Sequence, residues 1–204
     1  CESHIGAKRV SNFEIAEFAA KHDDICIPFA SIDPHKGKMG AREARDLVEN
    51  CGVKGFKFHH IMQGCNPGDQ VGYPIYEIIN HYKLPAIFHT GHSGMGTGMR
   101  GGGGVRLKYG QPMLVDDVAV DFPDMKIILA HPSWPWVDES RSMAVHKTNG
   151  YIDLSGCSPK YFAPQTIQFA NTQLRKKMLF GSDFPLIHPA KWLTAARGVG
   201  VLEE

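Results

Sequence analysis

Three short apolar runs in this sequence each end in a residue that can bind a metal ion or transfer a proton. The runs end at His89, His131 and Asp183. Runs this short, flanked by Pro, Gly and charged residues, are typical of buried parallel strands. Ligands at the carboxyl ends of successive strands are how a (β/α) barrel builds its active site. Because His and Asp are common donors to divalent metals, the three residues predict a metal site at one edge of a parallel sheet.

Each of these residues also has an ordinary structural interpretation. His89 could be a loop histidine bonded to the backbone, His131 could simply end its strand, and Asp183 could cap the next helix. Pro132 keeps His131 out of helical geometry, and Pro185 disfavours an immediate helix start. Because the three occupy equivalent positions, we predict that His89 and Asp183 bind the metal. We predict that His131 transfers a proton and that Asp183 can accept one.

A second group of residues is predicted to contact the substrate. Lys57 alternates with Phe56 and Phe58 and so faces away from them, either into the barrel or outward to solvent. His59 lies one residue beyond the same strand and is predicted to line the pocket. His92 follows the first of the metal-site strands and is assigned to the same pocket.

The segment 91–112 is rich in glycine and contains two cations, Arg106 and Lys108. A phosphate cradle is disfavoured, because neither a P-loop ending nor a Gly-x-Gly-x-x-Gly helix start is present. We predict a lid in which Arg106 or Lys108 meets an anionic substrate, with a solvated surface loop as the alternative. Trp134 and Trp136 would form an aromatic wall at the same mouth, or else serve as packing residues.

Strands and helices alternate along the chain, and this alternation must position the candidate residues. Predicted strands lie at 25–31, 53–58, 84–89, 125–131, 151–155 and 178–183. Predicted helices lie at 12–21, 40–50, 73–81, 113–121, 140–147, 164–174 and from 192 onward. Such alternation with short links implies an α/β fold with a parallel sheet and right-handed crossovers. Neither a repeat nor a linker is visible, so residues 1–204 are predicted to form a single domain.

Composition narrows the class of protein. The 22 Lys and Arg residues balance 21 Asp and Glu residues, so neither a nucleic acid nor a charged tail is indicated. No apolar stretch approaches the roughly 20 residues that span a bilayer, and the first residues do not resemble a signal peptide. An odd number of cysteines without a Cys-x-x-Cys pair predicts reduced thiols in a cytoplasmic protein. The cysteines are Cys1, Cys26, Cys51, Cys65 and Cys157. We expect a small-molecule partner, with a homo-oligomer left open.

Five segments resemble the amidohydrolase-related group often called amidohydrolase family 2. They lie at 28–34, 55–59, 88–91, 129–132 and 180–185, in family order. The group includes metal-dependent hydrolases, non-oxidative decarboxylases and some hydratases. The resemblance implies a TIM (β/α)8 barrel, incomplete in this chain, with about six βα units corresponding to strands 3 to 8. It implies that His89 binds a divalent metal, zinc with manganese as the alternative, that His131 is catalytic, and that Asp183 binds the metal or takes a proton.

Two departures from the family pattern affect the expected function. The family's other metal ligands form a His-x-His or Glu-x-His pair on strand 1, which would precede Cys1, so the chain resembles a fragment. Several decarboxylases of the group carry an acidic residue three positions after the strand-6 histidine, where Trp134 stands here. We therefore expect a metal-dependent hydrolase of a small carboxylic-acid-derived ester, lactone or amide. A decarboxylase or hydratase of an aromatic or unsaturated acid is the alternative, and an incomplete, inactive binding domain is the third.

Overall fold

A six-stranded parallel sheet organises the protein in the computed structural model, which describes residues 10–201. The strands are β1 (Phe29–Ala30), β2 (Gly55–Phe58), β3 (Pro85–His89), β4 (Lys126–Ala130), β5 (Gly150–Asp153) and β6 (Met178–Leu179). Each strand pairs in parallel with the next in the chain, so the order in space is the order in sequence. The predicted α/β alternation is confirmed. Cys1, and any helix continuing to Glu203 and Glu204, lie outside the described residues.

Helices connect successive strands and cover one face of the sheet. The α-helices are α1 (Asn12–Ala20), α2 (Lys38–Cys51), α3 (His60–Gln63), α4 (Tyr73–His81), α5 (Asp116–Asp121), α6 (Val137–His146), α7 (Pro164–Asn171) and α8 (Pro189–Gly198). Local sequence sets their ends: α1 begins with a capping box in which Ser11 and Glu14 exchange hydrogen bonds. Helix α2 ends at Gly52, whose φ of 73° suits the left-handed C-cap position. In residues 10–201, no helix is long and apolar enough to cross a membrane.

The two terminal strands are shorter than predicted. The predicted strand 25–31 forms only at Phe29–Ala30, because the amides of Ile25 and Cys26 still bond to the carbonyl of His22 in the turn after α1. The predicted strand 178–183 forms only at Met178–Leu179. Asp183 takes a left-handed φ of 58°, which extended pairing does not allow.

The glycine-rich segment also contains more local structure than a loop. Three short 3-10 turns occupy Arg100–Gly104, Leu107–Gly110 and Pro112–Val115. The helix predicted from residue 113 therefore begins only at Asp116.

The two faces of the sheet differ in burial. Phe56, Phe58 and Phe88 are fully buried under the helices and belong to the main core. Side chains of the opposite face, such as Lys57 and Ile87, are only partly buried. Of the two directions predicted for Lys57, its side chain takes the one into the barrel, on the face of the sheet away from the helices.

His60 is a fully buried histidine whose state affects stability. Its Nε2 lies 3.0 Å from the hydroxyl of Tyr76, and its ring is stacked with that of Phe88. Burial, with a smaller effect of His59, lowers the pKa of His60 from 6.5 to about 3. Between these values the unfolded chain binds a proton that the folded chain does not. The free energy of unfolding must therefore fall as the pH drops from 6.5 toward 3.

We predict that His60→Phe weakens this pH dependence. One fewer proton is taken up on unfolding, so the slope between pH 5.5 and 4 should fall by about 1.4 kcal/mol per pH unit. Urea unfolding at several pH values measures it. Tyr76→Phe is the matched control, because it removes the same hydrogen bond but keeps the imidazole and should keep the slope. An unchanged slope in His60→Phe would show that His60 is not buried in its neutral form.

Candidate active site

The ends of β3 and β4 are tied together immediately beside His131. The backbone amide of Thr90 donates to the carbonyl of Ala130, and the amide of His131 donates to the carbonyl of Thr90. The Ser133 hydroxyl donates to the His131 carbonyl at 3.0 Å, so it accepts the hydroxyl of Thr90 at 2.8 Å. This network fixes the backbone from which the His131 side chain projects.

The His131 imidazole lies between a hydroxyl group and a carboxylate. Its Nδ1 is 2.8 Å from Ser155 Oγ, and its Nε2 is 4.0 Å from Asp183 Oδ2. Burial and the neighbouring Lys57 lower the pKa of His131, although Asp183 and Asp153 act in the opposite direction. Burial thus favours the neutral imidazole beside Asp183, which is the form that can accept a proton.

His89 and His59 form a stacked pair beside His131. Their ring centroids are 3.9 Å apart and nearly parallel, and the His131 ring meets His89 edge-on at 5.1 Å. Burial, with a smaller effect of Lys57, lowers the pKa of His59 to about 4. Burial, with a smaller effect of His59, lowers the pKa of His89 still further. The three rings are thus held neutral in one cluster, with their lone pairs available.

Two observations test whether these residues suit a metal ion. His89 Nε2 lies 3.2 Å from the backbone carbonyl of His92, so it donates its hydrogen there and leaves Nδ1 as a lone pair. Metal-bound histidines commonly have this arrangement. His59 Nδ1 is buried and finds no hydrogen-bond partner within residues 10–201. Histidine and carboxylate donors of the right type are therefore present.

The set of donors is only part of a metal centre. Across the described part of the chain, no three His, Cys, Asp or Glu side chains are close enough to hold a metal ion together. His89 Nδ1 and the Asp183 carboxylate are donors of a suitable type, their assignment as ligands stays a prediction, and a complete site needs further donors.

A cavity on the face of the sheet away from the helices, called the polar cavity for its charged groups, also has Ile87, Ile128, Leu179 and Phe180 in its lining. It has a volume of about 390 Å³, and its charged and titratable lining residues are Lys57, His131, Asp153 and Asp183. Burial lowers the pKa of Lys57, whereas Asp153 and Asp183 raise it. A lysine, two aspartates and a histidine thus share one space, which suits the binding of a polar group.

A second, mainly apolar cavity lies on the other side of His131. Its volume is about 520 Å³. Besides His131 and His92, its lining is small or apolar: Thr90, Pro132, Ser133, Trp134, Val137, Gly156, Cys157, Tyr161, Phe162, Ala163 and Thr166. No Lys, Arg, Asp or Glu is among these residues. His131 belongs to both linings, so it stands between a cavity that contains charged side chains in its lining and one whose lining has none.

The structure brings together most of the candidates from the sequence. Trp134 and His92 lie in the apolar cavity, where their rings meet at 5.4 Å. Arg106 and Lys108 are exposed and belong to neither cavity lining, so the structure does not place them at the site. The roles of all these side chains in metal or substrate binding stay predictions.

Asp153 and Ser155 are two site residues that the sequence analysis missed. Ser155 Oγ donates to Asp153 Oδ2 at 2.5 Å, and the Ser155 amide donates to Asp153 Oδ1 at 3.0 Å. Asp153 is the last residue of β5, and Ser155 follows the strand. A polar residue at such a position is also expected from the ordinary alternation of polar and apolar residues along a strand. Their position at the carboxyl end of the strand next to His131 was the usable signal.

Two glycines allow the close packing around His131. A Cβ on Gly156, whose φ is 72°, would lie 2.6 Å from His131 Nδ1. A Cβ on Gly181 would collide with the Asp153 carboxylate and lie 2.8 Å from Ser155 Cβ. Only glycine lets the chain after β5 and β6 approach the imidazole and its partners so closely.

We predict that Gly156→Ala is more destabilising than Gly52→Ala. Both glycines have a φ near 72°, so each substitution should cost about 1–2 kcal/mol in backbone strain. Nothing lies within 4 Å of a Cβ at Gly52, whereas at Gly156 the His131 ring must move, adding about 1–3 kcal/mol. Urea unfolding of the two variants measures the difference. Equal losses would mean that the ring is free to shift.

Comparison with known proteins places the chain in a family. A sequence model of the amidohydrolase family matches residues 5–203. A search of curated proteins finds no match.

Three solved structures are similar to the chain. An uncharacterised TIM-barrel protein from Bordetella bronchiseptica shares 24% identity, with 97% of this chain and 71% of that chain covered and a TM-score of 0.76. A 5-carboxyvanillate decarboxylase from Novosphingobium aromaticivorans, with bound manganese and 3-methoxy-4-hydroxy-5-nitrobenzoic acid, shares 15% identity, with 90% and 62% covered and a TM-score of 0.66. A 2,6-dihydroxybenzoate decarboxylase from Rhizobium shares 16% identity, with 94% and 70% covered and a TM-score of 0.61.

These similarities show the fold. The neighbours are TIM-barrel proteins, and this chain contributes an arc of six parallel strands. Within residues 10–201 the arc ends at β1 and β6 without closing. The prediction of an incomplete TIM barrel is confirmed.

Proposed function

The chain belongs to the amidohydrolase family, and on that premise we propose that the full-length protein is a metal-dependent hydrolase of an ester, lactone or amide. The observation that carries this proposal is the position of His131, which faces Asp183 and belongs to the linings of both cavities. A base at such a boundary can act on water and a reacting carbonyl in the polar cavity while the apolar part of the substrate occupies the other cavity.

Family members depend on a metal, and His89 and Asp183 would hold it here. A divalent ion of this kind, zinc or manganese, lowers the pKa of a water molecule and polarises a carbonyl group. The neutral state of His89 supports the assignment, because only an unprotonated imidazole can donate a lone pair.

Residues of this chain would transfer the proton and stabilise the charges that form during the reaction. His131 takes a proton from the attacking water at the edge of the polar cavity, and Asp183, 4.0 Å away, stabilises the imidazolium that forms. The imidazolium then gives this proton to the leaving oxygen or nitrogen as the acyl bond breaks. Lys57, in its protonated form, stabilises the negative charge that develops on the substrate oxygen.

The apolar cavity indicates the other part of the substrate. Trp134, Tyr161 and Phe162 line it, and a volume of about 520 Å³ accommodates an aromatic ring. We propose an acyl compound with an aromatic or similarly apolar group. The exposed Arg106 would reach an anionic part of the substrate only from outside this cavity.

A carboxy-lyase is the second candidate function. Two of the similar structures are decarboxylases of aromatic acids, and the apolar cavity suits an aromatic ring equally well. Trp134 replaces the acidic residue expected after His131, but Asp153 supplies a carboxylate to the same imidazole through Ser155. In this reaction Lys57 would bind the substrate carboxylate, and protonated His131 would deliver a proton to carbon.

We predict that His131→Asn and His89→Ala separate catalysis from metal binding in the full-length protein. His131→Asn should lower the turnover of an ester substrate by about 10²–10⁴-fold and keep the metal, because a general base is lost but no ligand is. His89→Ala should lose both. Elemental analysis and ester hydrolysis measure the two properties. Equal metal loss in both variants would place His131 among the ligands, and a metal-free yet active enzyme would contradict the proposed function.

A substrate panel discriminates between the two reactions. With 4-nitrophenyl benzoate and a set of hydroxybenzoates, the hydrolase proposal expects release of 4-nitrophenol and no carbon dioxide. Carbon dioxide release without ester cleavage would favour the carboxy-lyase. If the metal-loaded protein does neither, the interpretation as a binding domain gains support. His89→Ala is the control for background ester hydrolysis, which should be the same in buffer and in this variant.

A further inference from the structure

We infer that Asp153 and Ser155 position His131 by fixing its neutral ring in one tautomer, with the hydrogen on Nδ1 and the lone pair on Nε2. No catalytic contact of their own is needed, because both act through the imidazole. The catalytic consequence rests on the proposed function, whereas the tautomer itself is a property of the hydrogen bonds.

The hydrogen bonds around Ser155 determine which nitrogen of His131 carries the hydrogen. A serine hydroxyl has a single hydrogen to donate, and a carboxylate only accepts. Ser155 Oγ lies 2.5 Å from Asp153 Oδ2, so its hydrogen is directed there. The contact of 2.8 Å between Ser155 Oγ and His131 Nδ1 must then be donated by the ring nitrogen. His131 therefore carries its hydrogen on Nδ1.

The Asp153 carboxylate is itself held in place. Its other oxygen, Oδ1, accepts the backbone amide of Ser155 at 3.0 Å, so the side chain cannot rotate without losing a second hydrogen bond. Ser155 is buried, which strengthens this chain of charge-assisted hydrogen bonds. The absence of a Cβ at Gly181 leaves the space that the carboxylate occupies.

The result is that the unprotonated Nε2 faces the polar cavity and Asp183. In the opposite tautomer, Nε2 would carry a hydrogen and could not accept one from water. A neutral imidazole can accept a proton only at the nitrogen that carries no hydrogen, so the tautomer decides whether Nε2 can serve as a base. Two residues without a direct role in the reaction would thus control the rate.

Asp153→Asn is the decisive variant, because it changes hydrogen-bond direction with almost no change in shape. The amide oxygen can still accept the Ser155 backbone amide, which places the NH₂ group against Ser155 Oγ. Ser155 then accepts from Asn and turns its own hydrogen toward His131 Nδ1. We expect the ring to switch to the tautomer with hydrogen on Nε2.

Nitrogen-15 NMR of the imidazole in the zinc-loaded, full-length protein reads the tautomer directly. We expect a protonated Nδ1 and an unprotonated Nε2 in the wild type and the reverse in Asp153→Asn. For 4-nitrophenyl benzoate, kcat should fall by about 10²–10⁴-fold, as for loss of a general base, while KM changes little. Asp121→Asn is the matched control, since its carboxylate accepts from Tyr73 on an exposed helix end and should alter neither property.

The outcomes are distinct. A wild-type ring with hydrogen on Nε2, or an unchanged tautomer in Asp153→Asn, overturns the inference whatever the activity. If Asp153→Asn does not fold by circular dichroism, the wild-type tautomer still decides, together with Ser155→Ala, in which the preference for Nδ1 should be lost. If the tautomers behave as expected but 4-nitrophenyl benzoate is not hydrolysed, the inference stands and the proposed function fails.

Discussion

The parallel register of β3 to β6 is the constraint on which the rest of the site depends. His89 pairs with Ala130, Ala130 with Asp153, and Asp153 with Leu179. The residues that follow these positions therefore leave the sheet at one level and converge on its carboxyl edge. A slip of one residue in any pair would move the alternate side chains to the other face. The polar groups would then be directed into the helix-covered core, where Phe58, Phe88 and Leu129 now lie.

Burial on this edge controls the charge state of the cluster. Each histidine there loses water that would solvate its protonated form, and Lys57 adds a repulsive charge, so the pKa values of His59 and His89 fall. Asp153 and Asp183 counter the effect most at His131, where both raise the pKa. The histidine with the strongest carboxylate contacts is thus the one best suited to gain and lose a proton. Position relative to the carboxylates, rather than residue type, distinguishes the base from the candidate ligands.

The sequence could predict the strand order and the residues that follow the strands, because short apolar runs and the Pro residues after His131 and Phe184 are local signals. It placed Asp183 correctly at the carboxyl edge even though β6 ends four residues earlier. The sequence could not predict two features of the site. The position of Asp153 at the carboxyl end of a strand was visible in the sequence, but the face toward which its side chain points depends on the register. The exposure of Arg106 depends on how the glycine-rich turns fold back, which no periodic pattern encodes.

The two cavities offer a reason why Trp134, rather than an acidic residue, stands three positions after His131. Trp134 lines the apolar cavity with 66% of its surface exposed, so it adds an aromatic side chain to the mouth of this cavity without placing a charge there. Here the carboxylate partner of His131 comes instead from Asp153 on the neighbouring strand, on the polar side. The imidazole keeps an acidic partner while the space beside Trp134 stays free of charge. A substrate bound there would meet His131 with its apolar group on one side and its reacting carbonyl on the other.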